Sequence, residues 1–414
     1  MSRGFTLADT VRFLALLILT AAGALLAFVL LGQDPRGSSA VTDGEAGARA
    51  AQPPELPAHA VAAWENNRIS TGGLDLLRAG GASLYRLNMV TSWVDWDGDG
   101  RTTRHYDRIV REAAIRDVTL LPVLMRLRTI QNPEPPRTPA EYAQWRARVG
   151  FFASRYGAEG EFWREHPELP YRPIRVWEVW NEPNYRPFWG GRRPDPVEYR
   201  RVLATGRAAL RAADPQARIV AAGLAWRHDG GRYLSSVLRG GGACLLDAAA
   251  IHPYANSVSQ SVGYLERARA ILDRHGAGEA QLWPTEVGWR VARPGRFAVP
   301  TEAEQARRLT RFATAAESRR ESLRLGPLVA FALRDKITPR TGSFDGWGLL
   351  RLDGTPRPAW SAWSAAARAS APVALPSRAT CPGDRRPCLR RRGPRRAHGV
   401  SAQTGSTSST AIVR

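Results

Sequence analysis

The sequence predicts an α/β protein built as a (β/α)8 barrel. Three observations lead there. Eight short apolar, β-like runs alternate with amphipathic helical stretches, the order that βαβ units and a parallel sheet require. These units fill roughly 310 residues, a length that suits one α/β barrel better than two ordinary domains. No GxGxxG follows an early strand, which argues against a doubly wound dinucleotide-binding sheet. The composition, 43% hydrophobic and 23% charged, is that of a folded globular chain. Only 3 Cys in 414 residues exclude a disulfide-rich scaffold.

From the N-terminus, residues 1–12 carry Arg3 and Arg12 and precede 13–32, which are 20 residues without a charge. A transmembrane helix needs about 20 such residues, whereas the apolar part of a cleavable signal is roughly 7–15 long. The expectation is an uncleaved signal anchor with its N-terminus in the cytoplasm and the rest exported. Cleavage near Ala40, within GSSA, is the alternative and would release the protein. Residues 33–58, rich in Gly, Ala, Pro and Ser, read as a flexible linker.

The barrel is expected over 59–371. Its strand candidates are 60–65, 83–91, 118–125, 174–182, 218–226, 247–254, 280–288 and 326–334. Helical patterns lie between them, among them 139–156, 196–213, 261–275 and 302–322. Asp195 is placed to cap the second of these, with Pro196 at its first position. Residues 372–414, with CPGDRRPCLRRRGPRR and a Ser/Thr-rich end, read as a disordered basic tail. Cys381 and Cys388 are spaced to close a small loop there, which leaves Cys244 as a buried small residue.

The formal net charge is +21. Lys336 is the only Lys, so the excess is almost all Arg and looks like codon bias. It divides into −1 over 1–60, +14 over 61–370 and +8 over 371–414. A nucleic-acid partner for the tail is disfavoured by its expected export. The basic barrel leans towards an acidic polymer. All 14 Trp lie in 61–370, which suits a site for flat sugar faces as well as ordinary core packing.

In a barrel the active site sits at the C-terminal ends of the strands. The fourth strand ends in Trp180-Asn181-Glu182-Pro183-Asn184 and the seventh in Pro284-Thr285-Glu286-Val287-Gly288-Trp289. Each puts one carboxylate on the catalytic rim. Two carboxylates flanking one bond are what glycoside hydrolysis uses, one to protonate the leaving oxygen and one to attack or stabilise the anomeric carbon. Glu178 shares strand parity with Glu182 one step deeper and reads as the buried partner of an Arg.

On these motifs the chain resembles the retaining glycoside hydrolases of clan A, and within it family thirty-nine and its bacterial exopolysaccharide-hydrolase relatives. The resemblance covers roughly 60–370 in organisation. It implies Glu182 as general acid/base and Glu286 as nucleophile. Asn181 would bind the hydroxyl beside the anomeric carbon, and Tyr254 of His252-Pro253-Tyr254 would hydrogen-bond the nucleophile. His252 would line the site, and Arg86 would orient Glu286 and keep it ionised. The family's tryptophan at the end of strand eight is absent from Phe331-Ala332-Leu333-Arg334-Asp335, so Trp347 in the next loop is its expected replacement. Trp289, Trp189 and Trp93 are further candidates for stacking on sugar.

No metal or other cofactor is expected. The segment Asp95-Trp96-Asp97-Gly98-Asp99-Gly100 starts like a calcium loop but has Tyr106 where the motif needs Glu, so a solvated acidic turn is the better reading. No His/Cys cluster suggests zinc. The expected function is an extracytoplasmic hydrolase of a cell-envelope or secreted polysaccharide. An exo-acting β-xylosidase-like enzyme and a non-catalytic glycan-binding or polysaccharide-biosynthesis protein are the alternatives.

Overall fold

Every predicted β-like run forms a strand, and the eight strands lie parallel in one sheet. In the computed structural model they are β1 (His59–Ala62), β2 (Leu84–Val90), β3 (Thr119–Met125) and β4 (Val176–Asn181). β5 (Arg218–Ala225), β6 (Ala248–His252), β7 (Gln281–Pro284) and β8 (Leu328–Ala330) follow. Each pairs with its sequence neighbour, and β8 pairs with β1. Bridges Leu282 to Leu325 and Val287 to Ala330 join β7 to β8 and close the barrel. The structure describes residues 55–62, 70–93, 101–129, 132–291, 297–299, 301–337 and 345–384.

A helix follows each strand: α1 (Thr71–Ala79), α2 (Arg101–Ile115), α3 (Pro139–Tyr156), α4 (Pro196–Ala213), α5 (Gly231–Leu238), α6 (Val258–Arg274), α7 (Glu302–Glu317) and α8 (Pro358–Ala369). Their starts are chemically marked. Thr138 and Glu141 form a reciprocal capping box on α3. Asp195 accepts from the Val197 amide at 2.7 Å, with Pro196 opening α4. Helix α6 begins before its expected 261 because Ser257 caps it, accepting from the Gln260 amide.

Strand alternation sends one set of side chains inward, among them Ala60, Leu84, Leu121, Val176, Val220, Ala248, Trp283 and Val329. The other set packs outward against the helices, where Trp145, Trp177, Phe152 and Leu265 are fully buried. Near the N-terminal ends of the strands, Glu55–Leu56 pairs antiparallel with Val373–Ala374, and Leu56 and Val373 join the inner core.

That pairing corrects the expected tail boundary at 372, because the chain packs in order as far as Asp384. Arg211 and the Ala379 amide share the buried Asp247, and Arg207 holds Asp384. Cys381 is disulfide-bonded to Cys244, with the Cα atoms 5.0 Å apart. The Cys381–Cys388 loop that the spacing allows is therefore not the one formed, and Cys244 is not an isolated core residue. Sequence proximity favoured Cys388, but folding places Cys244, 137 residues away, within reach of Cys381. Cys388, the expected anchor 13–32, the Ala40 site and the turn 95–100 lie outside the described residues. Among the described residues no helix is long and apolar enough to cross a membrane.

Candidate active site

The site forms where β2, β4, β6 and β7 end, and an arginine organises it. Arg86 points into the barrel from β2, with 4% of its side chain exposed. Its Nε and one terminal nitrogen donate to both oxygens of Glu178 at 2.7 and 2.9 Å. The same terminal nitrogen reaches Asn181 Oδ1 at 2.7 Å, and the other donates to Glu286 Oε1 at 2.8 Å. Burial alone would lower the guanidinium's affinity for its proton. The Glu178 and Glu286 carboxylates more than reverse this and hold its pKa above the usual range. Glu178 is thus the buried arginine partner expected from strand parity, and it also accepts from the Gly223 amide at 2.9 Å.

Strand β4 reaches this arrangement through an irregularity. Val176 belongs to the inner core, while Val179 and Trp180 both belong to the outer one. Trp180 takes a positive φ of 79° and Glu182 one of 43°, which costs a non-glycine residue about 1–3 kcal/mol. The Trp180 ring is fully buried at 5.8 Å from Trp145 and 5.7 Å from Trp189, and its Nε1 donates to Phe188 O. This packing holds the turn and brings Asn181, as well as Glu178, to Arg86.

Glu286 is 9% exposed and gripped at both oxygens, by Arg86 at Oε1 and by the Tyr254 hydroxyl at Oε2, 2.9 Å away. Burial, then the charge of Glu286, keeps the Tyr254 phenol well above its ordinary range, so it remains a donor. Glu182 has a different environment. Burial pushes its carboxyl up to about 7, against the opposing pull of Arg86 and His228. Its Oε1 lies 2.8 Å from Nδ1 of His252. Burial lowers His252 to about 4, so its ring is neutral at neutral pH and shares one proton with Glu182. Glu182 is therefore poised to carry a proton, while Glu286 sits directly beside the Arg86 cation.

Gly223 on β5 permits this packing, since a Cβ there would lie 2.1 Å from His252 Nε2. One atom each of Glu182, His252 and Glu286 lies within 4.8 Å of the other two, compact enough for a divalent ion. Arg86 already supplies a fixed positive charge at Glu286, which opposes a second cation there.

A cavity of about 250 Å³ opens beside Glu182. Its walls include His252 and Tyr254, and also Tyr185, Arg227, His228 and Phe297, which sequence reasoning missed. Asn184 was part of the quoted motif without a role. Its carboxamide donates to Ala225 O and His228 O and accepts from the Ala225 amide, so it fixes the loop after β5.

Of the expected aromatic residues, Trp347 reaches the site, edge-on to Tyr254 at 5.1 Å. Trp289 does not. It is fully buried, donates to Ala255 O at 2.8 Å and packs on Phe312. Trp189 is likewise fully buried, against Trp180 and Tyr199. Neither has a free face for a sugar, because each fills the layer between strands and helices. The side chain of Trp93 lies outside the described residues.

Solved structures of glycoside hydrolases share this fold. A family 39 glycoside hydrolase from Bacteroides cellulosilyticus superposes with a TM-score of 0.55 at 20% identity, over 76% of this chain and 64% of that one. A glucosidase from Croceicoccus marinus gives 0.56 at 15% identity, over 77% and 69%. A family 39 β-xylosidase from Caulobacter crescentus gives 0.52 at 17% identity, over 79% and 75%. The chain thus spans under two thirds of the Bacteroides protein's length. No protein-family profile and no curated protein matches the sequence.

Proposed function

We propose that the protein is a retaining glycoside hydrolase working by double displacement. The spacing of the two carboxyl groups carries the reading. An oxygen of Glu182 and one of Glu286 lie within 4.8 Å. Retaining pairs sit about 5–5.5 Å apart, whereas inverting pairs leave roughly 6.5–9.5 Å for a water. Glu286, oriented by Arg86 and Tyr254, attacks the anomeric carbon. Glu182 gives its proton to the leaving oxygen, and the glycosyl-enzyme forms. Glu182, now ionised, takes a proton from water, which attacks the same carbon and frees Glu286. A carboxyl near 7 suits both half-reactions. Asn181, oriented by Arg86, meets the hydroxyl beside the anomeric carbon.

The substrate is a cell-envelope or secreted polysaccharide, and the barrel works outside the cytoplasm. The Cys244–Cys381 disulfide supports an oxidising compartment, and the apolar stretch 13–32 supports tethering to the membrane. Two of the similar structures are β-xylosidases from Caulobacter crescentus, which favours exo-acting xyloside cleavage as the second reading. A polysaccharide and xylo-oligosaccharide screen of wild type against Glu182→Gln tests the assignment. Wild type should hydrolyse at least one polymer, and the variant should be slower by about 10²–10⁴-fold. Equal rates would remove Glu182 from the mechanism; release of xylose alone would favour the second reading.

A further inference from the structure

We propose that the sugar bound beside Glu182 carries a carboxylate, and that Arg227 is its counter-ion. This rests on the glycosidase reading and names its substrate class. Arg227 lines the cavity from the loop after β5, and its side chain is exposed. Its guanidinium lies 5.4 Å above the ring of Phe297, on the cavity wall. Among the described residues it has no carboxylate partner. The nearby Asp229 faces Arg232 at 3.9 Å. Of the described residues lining the cavity, only Glu182 is acidic, and its Oε1 is engaged by His252.

The loop holding Arg227 is built rather than loose. Trp226 beside it is buried against Tyr264, and Asn184 ties Ala225 and His228. The His228 ring stacks on Tyr185 at 4.2 Å and also lines the cavity, as a second polar group beside Arg227. Tyr185 and Phe297 offer aromatic surface for the apolar face of a sugar ring. A guanidinium resting on an aromatic ring can leave it for a carboxylate, whose two oxygens match its fork and give the stronger, directional contact. A neutral sugar would leave that charge unused, so the cavity is selective for uronic acids.

The test measures binding to the full chain carrying Glu286→Gln, so that turnover does not interfere. The probes are short oligomers of glucuronate, galacturonate, mannuronate and guluronate, each beside its carboxyl-reduced counterpart. At least one acidic oligomer should bind about 10–100-fold more tightly than its reduced form. Adding Arg227→Ala should erase that ratio, and Arg324→Ala, an exposed arginine paired with Glu279, should leave it intact. No preference for any acidic oligomer, or a preference that survives Arg227→Ala, overturns the proposal. Covalent labelling of wild-type Glu286 by fluorinated glycosides separates this from the parent reading. Labelling without acid preference sinks only the uronate assignment. Acid preference without labelling upholds the assignment and sinks the glycosidase reading.

Discussion

Replacing Glu182 by Gln should change how stability depends on pH, by an amount the structure sets. Burial moves the Glu182 carboxyl from its ordinary 4.5 to about 7. Between those values the folded protein holds a proton that the unfolded chain has released. Stability from this group is therefore fully present below about pH 4.5 and falls as pH rises through about 7. At 1.36 kcal/mol per pKa unit, the loss between about pH 5 and pH 8 is about 2–3 kcal/mol. Gln cannot ionise and escapes it. Urea unfolding of both proteins at several pH values reads the difference directly. The variant should gain about 2–3 kcal/mol on wild type from about pH 5 to pH 8, whatever their offset at pH 5. The same group should set an alkaline limb near 7 in the pH profile of kcat/KM, because Glu182 must be protonated to release the leaving group. A stability difference that stays constant with pH would refute the claim that Glu182 is the desolvated acid.

Three other perturbations probe the supports around that pair. Arg86→Met leaves Glu178 buried without its counter-ion and should cost about 3–5 kcal/mol in chemical denaturation; a loss below about 1 would contradict the ion network. Gly223→Ala drives a Cβ into His252 and Thr285, so about 1–3 kcal/mol of destabilisation and a collapse of hydrolysis should appear together; normal activity would disprove the packing at β5. Removing the Cys244–Cys381 link by Cys381→Ser reopens a loop of 137 residues, worth at most about 5 kcal/mol by chain entropy. Thermal unfolding should register that loss, and equally with Cys244→Ser, whereas Cys388→Ser should leave Tm unchanged; a loss with Cys388→Ser and none with Cys244→Ser would restore the Cys381–Cys388 pairing.

Much of the barrel was legible because its signals are local. Apolar runs marked all eight strands, and Asp195 and Pro196 marked a helix start at their own positions. The carboxylates were legible because barrel strands aim their C-terminal ends at one place, so motifs ending strands four and seven had to meet. Glu178 followed from parity alone. What escaped depends on contacts between distant segments. Tyr185, Arg227 and Phe297 share a cavity only after three loops converge. Trp289 sits three residues after Glu286 but turns into the helix layer. The order of 373–384 comes from Asp247, Arg207 and Cys244, none of which is near it in sequence.

The central claim is that Glu286 becomes covalently bound to the sugar. Incubation of the wild-type protein with a panel of 2-deoxy-2-fluoro glycosides, followed by proteolysis and mass spectrometry, tests it at the residue itself. A glycosyl adduct on the peptide containing Glu286, absent from Glu286→Gln, is the predicted result. An adduct on another carboxylate, or hydrolysis of a glycan with inversion and no adduct, would contradict the mechanism.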